Sequence, residues 1–177
     1  MVKKLGLSLG YFLVFVLALI MFTPKQSVYY FAEKKLQPFD VIISHESLED
    51  NLFSLGIEHA QVYGQNIEAA NVEKANVIIL GLYNSVSIEN VKLASFLESF
   101  VPQDVEHISI NYSIINPLAV TISANGDFGV VDGELSLLDQ NLSLVLQPSK
   151  LMHSKYQTTL REFKKQSNGE YTYAKAL

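Results

Sequence analysis

The chain has 177 residues, 13 basic against 18 acidic for a net charge of -5, and no cysteine. The acidic balance excludes a nucleic-acid binder, which needs a basic face to displace phosphate counterions. Without cysteine there are no disulfides and no lipid-modified N-terminal cysteine, so a domain of this size must hold together by its core alone.

The first element is an uncharged, proline-free run from Leu5 to Phe22. As a helix rising 1.5 Å per residue it is about 27 Å long, close to the roughly 30 Å hydrocarbon core of a bilayer. It reads as a membrane anchor occupying residues 1–23, with Leu5, Gly10, Phe15, Leu19 and Phe22 along its length. Lys3 and Lys4 precede it, which favours an N-in, C-out orientation and an extracytoplasmic domain. A cleavable signal peptide has a similar layout, but there is no A-x-A pattern before Pro24 and the apolar run exceeds the usual length. Gly6 and Gly10 form a G-x-x-x-G spacing, read here as ordinary span glycines. Gly6-Leu7-Ser8-Leu9-Gly10 matches a nucleophile elbow in letters only, since that motif requires a strand before it and a helix after it.

Residues 24–37 have Val28, Tyr29, Ala32 and Leu36 at helical spacing, with Lys34 and Lys35 in the last turn, and predict a juxtamembrane helix. Its Tyr29, Tyr30 and Phe31 either lie at the lipid headgroups or pack on the domain. Pro38 ends it, and Val41-Ile42-Ile43 starts a strand.

Between Asn51 and Ala94 one signature recurs: apolar, Glu, any, small, any, apolar. It occurs at Ile57–Val62, Ile67–Val72, Val72–Val77 and Ile88–Leu93, with Val91 in the small position of the last. The first apolar residue and the last two fall on opposite faces of a regular strand, which predicts a bend or bulge in each unit. The spacing is too irregular for a solenoid. Leu93, Phe96, Leu97 and Phe100 predict a helix over 92–101.

The clearest strands follow. Ile108, Ile110, Tyr112 and Ile114 alternate, as do Leu118, Val120, Ile122 and Ala124, then Leu135 and Leu137, then Leu142, Leu144 and Leu146. Asn116-Pro117, Asn125-Gly126-Asp127, Asp132-Gly133 and Asp139-Gln140-Asn141 predict the turns between them. One face is apolar, with Ile110, Tyr112, Val120, Ile122, Leu135 and Leu144 as the candidate groove or core face. The other carries Ser109, Asn111, Ser113, Thr121, Ser123, Glu134, Ser136 and Ser143. Ser149 caps a predicted amphipathic helix over 149–167 with Met152, Tyr156, Leu160 and Phe163 as its stripe, and Tyr171 to Tyr173 forms a last edge strand. The fold class is therefore an N-terminal transmembrane helix plus one mainly-β (α+β) domain over 38–177, a curved antiparallel meander with short flanking helices.

No catalytic constellation emerges. His45, His59, His107 and His153 lie in unrelated contexts without metal-ligand spacing. Ser44-His45-Glu46 holds triad residue types, but neighbours along a strand point to opposite faces. Asp127 and Asp132 lack the order of a calcium loop. Asn111-Tyr112-Ser113 and Asn141-Leu142-Ser143 match glycosylation sequons by pattern only. No cofactor, metal or enzymatic activity is expected; a hydrolase assembled from scattered residues is the least favoured class.

The single span, the curved strands, and the run from Ala124-Asn125-Gly126-Asp127-Phe128-Gly129 through Asp132-Gly133-Glu134-Leu135 to Leu146-Gln147-Pro148-Ser149, closing on Asn168-Gly169-Glu170-Tyr171-Thr172-Tyr173, resemble the type II secretion system protein N family (GspN) and, more distantly, AsmA-like envelope proteins. The resemblance implies a single-pass protein of the bacterial inner membrane with its C-terminal domain in the periplasm, assisting type II secretion or envelope assembly without enzymatic activity. Its partners would be the lipid bilayer and other envelope or secretion-system proteins. The alternative, by likeness to the AsmA-like proteins, is a lipid-binding or lipid-transfer module that takes phospholipid in an apolar β groove.

Overall fold

The computed structural model describes residues 2–176, with side chains from residue 4 onward apart from that of residue 5. Helix α1 (Val2–Phe22) is followed by α2 (Lys25–Leu36). Pro24, which has no N–H and clashes with the carbonyl four residues back, separates them, while its own carbonyl accepts from the Val28 N–H at 3.2 Å. Among the described residues no single helix is long and apolar enough to cross a membrane; Gly6–Phe22 and Lys25–Phe39 meet that length and composition together, as a pair bent by 59°. Around α1, Phe12, Val14, Phe15, Leu17 and Leu19 are all exposed, and α1 has no extensive packing against the sheet.

The rest is one antiparallel sheet: β1 (Val41–Ser44), β2 (Ser47–Asp50), β3 (Ser54–Gly64), β4 (Ile67–Ile79), β5 (Tyr83–Leu93), β6 (Asp104–Ser113), β7 (Asn116–Gly126), β8 (Gly129–Ser136) and β9 (Asn141–Pro148), then α3 (Lys150–Lys155), α4 (Gln157–Leu160), β10 (Lys164–Lys165) and β11 (Tyr171–Ala176). Its order is β1-β3-β4-β5-β6-β7-β8-β9-β11-β10, with β2 beside β1 on β3. From β3 to β9 every strand pairs with the next in sequence, through short hairpin turns except for the longer link 94–103 between β5 and β6.

Cross-strand register aligns side chains into rows. Ile57, Ala75, Ile88, Ile108, Ala124, Val131, Leu146 and Tyr171 are successive partners. So, on the opposite face, are Gly56, Asn76, Ser87, Ser109, Ser123 and Asp132. Period-two alternation thus makes one sheet face apolar and the other polar.

The repeated signature coincides with a crease. Glu58 pairs with Lys74 and Ala60 with Val72, leaving His59 and Glu73 as one extra residue each; Asn90 and Glu106 are the extra residues at the same level of β5 and β6. His59 and Asn90 adopt positive φ, 58° and 52°, a region that His and Asn enter more readily than most residues. Because four adjacent strands carry the extra residue together, their mutual pairing is kept; only against β7 does Glu106 appear as a register shift. Gly126 of β7 faces this bulge, where a Cβ would lie 2.6 Å from the Asp104 carbonyl oxygen and 2.9 Å from the Val105 Cα. At the sheet edge the crease falls where β1 gives way to β2, at His45 and Glu46. The Ile67–Val72 unit also carries its irregularity, a register shift that leaves Ala69 unpaired opposite Val62 and Tyr63.

Two covers close part of the apolar face. α2 lies on β1, β2 and β3, burying Leu55 completely and bringing the Lys25 ammonium, only 3 % exposed, to 3.3 Å from Asp50 Oδ1. The Tyr29 hydroxyl is buried there without a hydrogen-bond partner, and burial first, then the nearby Glu46 carboxylate, push its pKa up. At the other side α3 and α4 bury Met152, Tyr156 and Leu160 among Val91, Val105, Phe128, Leu146 and Tyr171. Ser149 Oγ caps α3 by accepting from the Met152 N–H at 3.1 Å and donates to the Asp127 carbonyl at 2.6 Å.

Six sequence expectations are corrected. Ile114 lies in the turn after β6 instead of in a strand, and Asn116-Pro117 is no turn but opens β7. The helix over 149–167 is two short pieces ending at Leu160, broken at Tyr156 (φ -116°, ψ 37°), and Lys164-Lys165 is a strand. The helix over 92–101 is a 3-10 turn, Ser95–Ser99, after a strand that runs to Leu93. Asp132-Gly133 is no turn but lies inside β8, where Gly133 leaves room for the Leu144 side chain that a Cβ would strike. Leu137 sits in the turn after β8, not in a strand.

Candidate functional site

The apolar face is covered over only part of its area. Ile88, Ile108, Ala124 and Val131 pack against the buried core. One row further along the strands, Val86, Ile110, Ile122, Gly133, Leu144 and Tyr173 are successive partners, and beyond them lie Tyr112, Val120, Leu135 and Leu142. The structure brings all six sequence-selected residues together here. Ile110 pairs with Ile122, Tyr112 with Val120, and Val120 with Leu135; Leu144 pairs with Gly133 beside Ile122. All six are half-buried, and none is in the buried core or packed on it. They form the uncovered continuation of the core face. Val86, Leu142 and Tyr173 complete it; the same alternation marks them, but they stand on strands whose partners the sequence does not reveal.

From β5 to β9 and β11 this surface crosses six strands, about 24 Å at ~4.8 Å per strand gap. That exceeds the roughly 15 Å of half a bilayer's hydrocarbon core. Its margins are Asn84, opposite Tyr112, and Lys175, opposite Leu142. Chemically it offers dispersion contact and removal of apolar area from water at about 25 cal/mol per Å², and no group for proton transfer or nucleophilic attack.

The opposite, polar face has a cleft of about 540 Å³ along the crease, where His59, Glu73, Asn90, Glu106 and their polar neighbours surround a floor that includes Val72, Val91 and Val105. Asn90 Nδ2 donates to Glu73 Oε2 and Asn125 Nδ2 to Glu106 Oε2, both at 2.8 Å. The carboxylates thus serve the crease itself. Among the described residues no group of three or more His, Asp or Glu is placed to hold a metal ion. His45, between β1 and β2, His59 on β3, His107 on β6 and His153 on α3 are distributed over the fold and do not converge on one site.

Of the anchor residues, Gly10, Phe15, Leu19 and Phe22 project from α1 into open space, Phe22 being 83 % exposed; the Leu5 side chain lies outside those described. No family model matches the chain, and neither do any of the curated proteins or of the solved structures.

Proposed function

We propose that this protein is a membrane-tethered, non-enzymatic lipid-binding module, in which α1 spans the bilayer and the uncovered apolar sheet face holds acyl chains. The observation that carries this reading is the position of Ile110, Tyr112, Val120, Ile122, Leu135 and Leu144, half-exposed on one continuous surface instead of sealed in a core. A contiguous apolar surface of this kind is uncommon on a protein that meets only water. An α1 that is apolar along its length and has no extensive packing against the sheet fits the lipid environment in the same way. With the resemblance to type II secretion protein N and AsmA-like envelope proteins, the address is the periplasmic side of a bacterial inner membrane.

The other role, a scaffold that captures secretion or envelope proteins by strand addition, finds less support. The sheet ends on one side in the two-residue β10, Lys164-Lys165, and on the other in the four-residue β1 and β2. Short edges, the first of them made of lysines, oppose added strands.

The test is photocrosslinking of the full chain in phosphatidylethanolamine and phosphatidylglycerol vesicles doped with a phospholipid bearing a diazirine on its acyl chain. Adducts are expected on the β6, β7 and β9 peptides that contain Ile110, Ile122 and Leu144. Ile122→Glu with Leu144→Glu should reduce them roughly tenfold, since an acyl chain cannot cover an unpaired carboxylate without a cost above ~1.4 kcal/mol. Adducts confined to α1 would remove the lipid-binding reading.

A further inference from the structure

All the turns at one end of the meander are tipped with apolar side chains. They are Leu52-Phe53 between β2 and β3, Leu82 between β4 and β5, Ile114-Ile115 between β6 and β7, and Leu137-Leu138 between β8 and β9. Register places them on one rim: Ser54 pairs with Ile78, Tyr83 with Ser113, and the Ile114 and Leu137 N–H groups donate to the Leu82 and Leu118 carbonyls. Ile115 is 93 % and Leu138 70 % exposed. Single exposed apolar residues need no explanation, but four successive turns with the same character form a pattern. The opposite end differs. Its hairpin tips are Gln65-Asn66, Asp127-Phe128 with Phe128 buried, and Asn168-Gly169; the apolar side chains exposed at that end, Phe39, Ile67, Phe96 and Phe100, lie off these tips, and the last two flank Glu98, which pairs with Lys155 at 3.0 Å.

The anchor helix leaves from the same apolar rim. Lys25 is fixed by Asp50, whose strand partner is Leu55, one residue past the Leu52-Phe53 turn and Ser54. Phe22 is three residues before Lys25, at most about 10 Å of extended chain. A bilayer that holds α1 therefore lies on the rim's side of the sheet, separated from the Asp50 end of β2 by those three residues and the Lys25 side chain.

We infer that this rim is a membrane-contact surface: Phe53, Leu82, Ile115 and Leu138 dip into the interface of the bilayer that carries α1, so that the uncovered sheet face opens toward the lipid. The tips carry no lysine or arginine, so contact rests on apolar insertion instead of attraction to anionic headgroups. Tyr83 and Asn84, beside the Leu82 tip, sit where an aromatic and a polar group suit the headgroup region. This inference rests on the anchoring proposed above and adds an orientation to it.

The absence of native cysteine makes the test direct. Single substitutions Leu82→Cys, Ile115→Cys and Leu138→Cys on the rim, Ser95→Cys and Ser167→Cys at the far end, and Phe15→Cys in α1 are labelled with a polarity-sensitive fluorophore in the full chain. The labelled proteins are reconstituted in phosphatidylcholine and phosphatidylglycerol vesicles with or without acyl chains brominated near the headgroup. Rim probes should shift to the blue and lose intensity to the bromolipid, as should the α1 probe, while the far-end probes stay unquenched. If only the α1 probe is quenched, the rim contact is overturned and the anchor stands. If no probe is quenched, both fall. Rim probes that shift to the blue without bromolipid quenching would place a second copy of the chain on the rim and overturn the inference.

Discussion

The covered and uncovered halves of the apolar face are built from the same residue types in the same alternation, yet they do different things. Under α2 and under α3 and α4, Leu55, Ile57, Val72, Val91 and Leu146 are buried; one row beyond Ile57 and Leu146, Ile110, Ile122 and Leu144 are not. Alternation decides which face a side chain joins, and only the segments folded over the sheet decide whether that face becomes core or surface. Burial therefore concentrates in one half and leaves the other uncovered.

The contrast can be broken most forcefully at Leu55, wholly buried beneath α2. Leu55→Ala should cost about 2–5 kcal/mol in denaturant unfolding, whereas Ile122→Ala on the open half should cost under about 1 kcal/mol. Equal losses would show that the two halves are not distinct. At the crease, Gly126→Ala forces a Cβ against the β6 backbone and should cost about 1–3 kcal/mol, read as a lower midpoint at unchanged slope. The Lys25 and Asp50 pair sharpens the role of α2 as a cover through an asymmetry. Asp50 is 41 % exposed, Lys25 only 3 %. Asp50→Asn leaves a buried ammonium without its partner and should destabilise by about 1–3 kcal/mol, less than a fully buried pair would lose. Lys25→Met leaves only a solvated carboxylate and should cost less; the reverse order in thermal melts would contradict the observed burial.

The smallest effect is expected at Tyr29. Its pKa is raised in the folded chain, so its contribution is fully present below the unfolded value of 10.0 and is lost progressively as pH rises above it. Tyr29→Phe removes a buried hydroxyl that has no partner; it should change neutral-pH stability by no more than about 1 kcal/mol, in either direction, and flatten the alkaline loss between pH 10 and 12. An unchanged alkaline profile would assign that loss to other groups.

Much of this architecture is legible in the residues. Strict alternation at Ile108 to Tyr112 and Val120 to Ala124 marks adjacent strands, and the recurring Glu-containing signature marks where each strand gains a residue. The helices are less legible. Met152, Tyr156 and Leu160 are correctly a buried stripe, but Thr158 and Thr159 support a long helix poorly, and the chain bends at Tyr156 to seat its ring in the core. Leu93, Phe96, Leu97 and Phe100 have helical spacing, yet Leu93 ends a strand and the others belong to a tight turn that leaves Phe96 and Phe100 exposed. Asp132-Gly133 has the letters of a hairpin turn, yet Gly133 is needed because Leu144 lies over it, a contact set by a strand ten residues away. The six residues of the candidate site were assignable to one face. Whether that face was groove or core was not, because the covering helices are held by contacts distant in sequence.

The aligned kinks in β3 to β6 also constrain how this chain can change. Removing His59 alone would turn the remainder of β3 over, sending Ala60 and Val62 to the polar side and Gln61 into the interior, while its neighbours kept their pleat. Tolerable length changes at this level would have to come as a matched set in all four strands, so related chains should either keep every one of these supernumerary positions or have lost them together.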